Sequence, residues 1–160
     1  SRALAIATEA LRRTDEAALR VVRARAERLT GDARAAARTL APLVTAQTLP
    51  AAGHLELGYL AARDSRDAEA AQSFERAMAD AAVRSEAVGA LVEVHARHGR
   101  GADVDRLLAT VAHESGLDAR THAALAQGYL RLGRAAEGEA AARAGIAAGA
   151  DTAAVRTVLA

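Results

Sequence analysis

Residues 55–80, LELGYLAARDSRDAEAAQSFERAMAD, contain two helical patterns separated by a short polar break at residues 64–66. In the first pattern Leu57, Gly58 and Ala61 lie on one face of a 3.6-residue period, and in the second Ala70, Phe74 and Ala77 do the same. A helix, a tight turn and an antiparallel helix follow from that reading. Moving outward by 34 residues in either direction finds the same arrangement again. The turn sites Gly31, Ser65, Gly99 and Gly133 recur at that interval, and Leu57, Leu91 and Leu125 stack in one column. Gly58, Val92 and Ala126 form the next column, and Ala61, His95 and Tyr129 a third. In the second helix Ala36, Ala70, Val104 and Gly138 align, then Leu40, Phe74, Leu108 and Ala142, then Leu43, Ala77, Val111 and Gly145. A fixed period of this length is the signature of stacked helix pairs, none of which can bury its apolar stripe alone.

The period predicts helices at about 17–29, 33–46, 51–63, 67–81, 85–98, 102–114, 119–132 and 135–148. Residues 3–13 read as the second helix of an earlier pair, and residues 151–160, capped by Asp151, as the opening helix of a later one. The expected organisation is a half repeat at 1–16, repeats at about 17–50, 51–84, 85–118 and 119–152, and a half repeat to 160, cut from a longer array. Its end faces would then be apolar, through Leu4, Ile6 and Leu11 and through Val155, Val158 and Leu159, and would favour weak end-to-end stacking. Pro42 should kink or stop its helix near Ala41, because it lacks an amide hydrogen and crowds the carbonyl of Arg38.

Composition agrees with thin helix contacts. Ala supplies 47 of 160 residues, whereas Leu, Ile, Val and Phe together supply 32. Twenty-one basic and 20 acidic residues leave a net charge of +1, which gives no field to steer nucleic acid or an anionic membrane. No apolar run is long enough to insert in a bilayer, and the absence of Cys removes disulfides and thiolate chemistry. Every basic residue is Arg and Asn is absent, a codon bias that points to a GC-rich bacterial source.

The columns and turns, clearest in residues 55–80 and in HAALAQGYLRLGRAAEGEAAARAGI at 122–146, resemble the tetratricopeptide (TPR) repeats over about residues 17–150. Leu57, Gly58, Ala70, Phe74 and Ala77 match the family's alternation of large and small residues in order. The third block departs from it with Val92, Val104 and Val111, and no Trp is present. The resemblance implies an all-α, right-handed superhelical solenoid of antiparallel helix pairs. It further implies a non-catalytic protein-protein interaction scaffold whose concave groove is lined by the first helix of each repeat. In that frame Leu55 lies deep in the groove with Gly89 and Ala123. Tyr59, Glu93 and Gln127 follow one turn on, and then the ladder Arg63, Arg97 and Arg131. Such a ladder suits the carboxylates of an acidic partner peptide, with Tyr59 as the apolar anchor. The competing reading is a solvated row of bases favourable to the helix dipoles. The family's clamp for a chaperone's C-terminal carboxylate needs Asn, which this chain lacks.

No catalytic residues, metal ligands or cofactors are assigned. His95 and His98 share a helix face, but zinc needs three or four ligands and only His113 could join them. No nucleophile, phosphate-loop or paired-carboxylate motif occurs, so the chain is read as no enzyme. One reading within the family is a bacterial periplasmic array that serves exopolysaccharide export or secretion. The alternative is the cytoplasmic sensory region of a regulator or ATPase, with the periplasm slightly favoured. A signal peptide and C-terminal barrel in the parent gene would favour the first, and a nucleotide-binding or DNA-binding domain the second.

Overall fold

The computed structural model describes the backbone of residues 2–114 and 116–149, and side chains from residue 16 onward. Among the described residues there are eight α-helices and no strand: α1 (Arg2–Leu29), α2 (Ala33–Thr45), α3 (Ala51–Arg63), α4 (Asp67–Ala77), α5 (Ala81–Arg97), α6 (Gly101–Ala112), α7 (Ala119–Arg131) and α8 (Ala135–Ala147). They fall into two compact units, residues 1–73 and 74–160. In the first, α1 packs on α2 and both pack on α3. In the second, α5 packs on α6 and α7, α6 on α7, and α7 on α8.

The four turns of the 34-residue ladder share one geometry. Gly31, Ser65, Gly99 and Gly133 all adopt the left-handed conformation, with φ of 92°, 58°, 65° and 72°. The amide that follows each reaches back five residues: Asp32 to Glu27, Arg66 to Ala61, Arg100 to His95 and Arg134 to Tyr129, at 2.9–3.0 Å. This Schellman closure satisfies a terminal carbonyl and reverses the chain into the next helix. Three aspartates start the helices that follow loops: Asp32, Asp80 and Asp118 accept the amides of Ala35, Ala82 and Thr121 at 2.9, 2.9 and 2.8 Å.

The second-helix columns are buried throughout: Ala36, Leu40 and Leu43, Ala70, Phe74 and Ala77, Val104, Leu108 and Val111, and Gly138, Ala142 and Gly145. The small residues are where helices approach closely. A Cβ on Gly128 of α7 would stand 2.7 Å from the Leu108 side chain of α6.

Three expectations change. Residues 3–13 and 17–29 form one helix, α1, because nothing between Arg13 and Ala17 breaks it: neither Gly nor Pro occurs there. Pro42 does not end α2, which continues to Thr45. The ring lies on the exposed side, while buried Leu40 and Leu43 hold the opposite face. Finally, α4 ends at Ala77 and α5 begins at Ala81, four residues before the expected start. That junction contains neither Gly nor Pro, so Asp80 sets the start by capping Ala82, and the Arg84 guanidinium donates to the carbonyl of Met78 at 3.0 Å. The apolar end faces expected at residues 4–11 and 155–159, and the helix expected at 151–160, lie outside the described side chains or residues.

Candidate functional site

In the second unit, α5 carries Glu93 and Arg97 one turn apart, and α7 carries Gln127 and Arg131 in the same way. Because α5 and α7 pack together, the Arg131 guanidinium donates to the Glu93 carboxylate at 2.8 Å, one turn beyond the 34-residue register. Both side chains are about half exposed, at 51% and 54%, so the pair is a surface pair and adds little stability. It does order the charges. The hydrogen bond from Arg131 holds the Glu93 carboxyl below its ordinary range, and the charges of Arg131 and then Arg97 act in the same direction. The guanidinium of Arg131 has five donors, and one good bond to Glu93 leaves several for an incoming anion. Arg97 and Gln127 are exposed beside this pair. The arrangement is a solvent-facing, ionised patch suited to hydrogen bonding with a partner carboxylate.

In the first unit the expected residues sit differently. Leu55 is fully buried, with 0% exposure, and cannot touch a partner. Helical spacing gives the reason: Leu55 stands three residues before Gly58, and the two share a buried face of α3. Ala123, in the same repeat column, is also buried. Tyr59 is half-buried, and the guanidinium of Arg28 stacks over its ring at 4.4 Å. One face of the proposed anchor is therefore already covered. Arg63 is exposed at the last turn of α3.

The most buried charge among the described residues was not legible in the sequence. Glu56, 1% exposed on α3, accepts from Arg28 of α1 at 2.5 Å and 3.5 Å, and the Arg25 guanidinium lies 3.9 Å away. The other blocks place Val22, Ala90 and Ala124 in that column, so an acid there demanded a cation from a neighbouring helix. The Arg28 side chain thus serves two groups of α3, the Glu56 carboxylate and the Tyr59 ring.

Among the described residues, no three His, Cys, Asp or Glu side chains are grouped to hold an ion. His113 is exposed, and the Nδ1 of His95 is buried without a hydrogen-bond partner. Among the described residues no helix is long and apolar enough to cross a membrane. No family model, curated protein or solved structure matches the chain.

Proposed function

We propose that the chain is a TPR-like array, a right-handed superhelical solenoid, and acts as a non-catalytic scaffold that holds an acidic segment of a partner protein. The array reading is supported by the 34-residue recurrence of one turn geometry at Gly31, Ser65, Gly99 and Gly133. The binding reading is carried by one observation: two packed helices present Arg97 and Arg131 around Glu93 on an exposed surface. Arg63, exposed on α3 of the first unit, carries the same chemistry there. Carboxylates are the matching ligand because guanidinium forks bond them through two parallel N–H groups. A bacterial origin and a place in periplasmic secretion belong to this proposal and draw support only from the Ala-rich, Arg-only composition.

The test is fluorescence anisotropy with an extended, acidic, dye-labelled peptide at low and high salt. The Arg97→Glu/Arg131→Glu variant should bind at least about tenfold more weakly and lose most of its salt dependence. Equal affinity in the folded variant would reduce the ladder to a solvated surface.

A further inference from the structure

The first helix pair departs from the repeat at the place where a neighbouring helix is received. In the second unit Leu108 and Val111 of α6 share an apolar cluster with Leu125 and Tyr129 of α7, and Ala141 of α8 packs against it. Three repeat steps earlier, the same places on α1 and α2 are held by Arg23, Glu27 and Thr39. They face an open cleft of about 460 Å³ between α1 and α2, whose lining also includes Leu19, Arg20 and Arg38.

The cleft is ionised and organised. Arg23 bonds Glu27 at 2.8 Å, Thr39 donates its hydroxyl to the same carboxylate at 2.7 Å, and Arg20 bonds Glu16 at 2.9 Å. Thr39 first, and then Arg23, hold the Glu27 carboxyl below its ordinary range, so it stays charged near neutral pH. An apolar helix such as α6 could not seat here without stripping water from these charges. Arg38 is different: it is exposed, with neither an ion pair nor a hydrogen bond among the described residues. The lining holds three Arg (Arg20, Arg23 and Arg38) against two Glu (Glu16 and Glu27), and with Arg20 and Arg23 paired to those acids the excess positive charge falls at Arg38. Leu19, 70% exposed, supplies an apolar rim.

We infer that this cleft docks an acidic amphipathic helix of a partner protein, laid where the repeat geometry seats a helix, with carboxylates toward Arg38 and Arg20 and an apolar side chain on Leu19. The site is separate from the Glu93–Arg131 patch, and the inference does not depend on that patch binding anything. Occupation replaces the water around Arg38 with a charge-assisted pair while the internal pairs of Arg20 and Arg23 persist.

Titration of the isotope-labelled full chain with a helical peptide of about 18 residues built from Glu, Ala and Leu tests this by NMR. Saturable shifts should cluster on residues 16–29 of α1 and 33–39 of α2. Arg38→Glu, at an exposed position, should keep the helical circular dichroism and weaken the binding read from the α1 and α2 shifts at least about tenfold, whereas Arg106→Glu, exposed on α6 and outside both candidate surfaces, should leave it unchanged. The same peptide with Lys for Glu should cause no shifts. The inference is overturned by no binding up to about 1 mM, by equal binding of the Lys peptide, or by unchanged affinity of Arg38→Glu. Shifts confined to α5 and α7 would also overturn it, while supporting the Glu93–Arg131 surface.

Discussion

Glu56 shows how one substitution in a repeat column creates a requirement elsewhere. A carboxylate that is 1% exposed is tolerable only because Arg28 bonds it. Arg28→Ala should therefore cost about 3 kcal/mol in urea unfolding, since it strands a buried charge and uncovers the Tyr59 ring. A loss below about 1 kcal/mol would show that water reaches Glu56 freely. Asp118 makes a second, milder case. Its carboxylate is held below its ordinary range first by the Thr121 side chain, and it accepts the Thr121 amide at the start of α7. Asp118→Ala should cost about 1 kcal/mol, whereas Asp118→Asn, which also caps, should cost less. The exposure of Glu93, Arg97 and Arg131 was legible because surface positions follow directly from helical period. Leu55 and the Arg28–Glu56 bond were not, because column position within one helix does not reveal which neighbouring helix covers it.

Helix boundaries were legible where the chain carries its own stop signal. Gly31, Gly99 and Gly133 take positive φ without a Cβ penalty, and the helices on both sides of each turn begin and end near the expected residues. Ser65 holds the same conformation with a Cβ, at φ 58°. Ser65→Gly should therefore stabilise the chain by about 0.5 to 1 kcal/mol, the strain relieved less the added freedom of the unfolded chain. Destabilisation in thermal unfolding would mean the Ser65 side chain contributes more than its strain costs. Where no such signal exists the period alone misplaces the break, as at the α4–α5 junction, set by Asp80, and in the unbroken α1. That α2 runs on past Pro42 instead of stopping near Ala41 has a different origin. Proline removes one amide bond, but the burial of Leu40 and Leu43 on the other face outweighs that local loss.

At the scale of the whole molecule, electrostatics sets behaviour in acid and exposed apolar surface sets association. Glu27, Glu93, Asp118 and Glu137 all have carboxyls held below their ordinary range, each mainly by hydrogen bonding, from Thr39, Arg131, Thr121 and Arg134 respectively. Depressed acids stabilise the folded state above the ordinary carboxylate range, and that contribution is lost as pH falls through the lowered values. The melting temperature should hold between about pH 7 and 5 and drop below about pH 4; a rise on acidification would contradict these assignments. Association is governed by a different surface. Leu19, Val22 and Leu29 of α1 are 65–70% exposed, on the side roughly opposite the buried Val21 and Ala24. Complete burial of an apolar side chain of this size contributes about 1.5 to 3 kcal/mol. Three partly buried ones do not exceed the roughly 4 to 15 kcal/mol of lost translational and rotational freedom by enough for a stable dimer. Sedimentation equilibrium at about 10 μM should therefore return the 16.4 kDa monomer, with self-association only near millimolar concentration and abolished by Val22→Glu. A dimer mass at about 10 μM, unchanged in Val22→Glu, would show that another surface drives self-association.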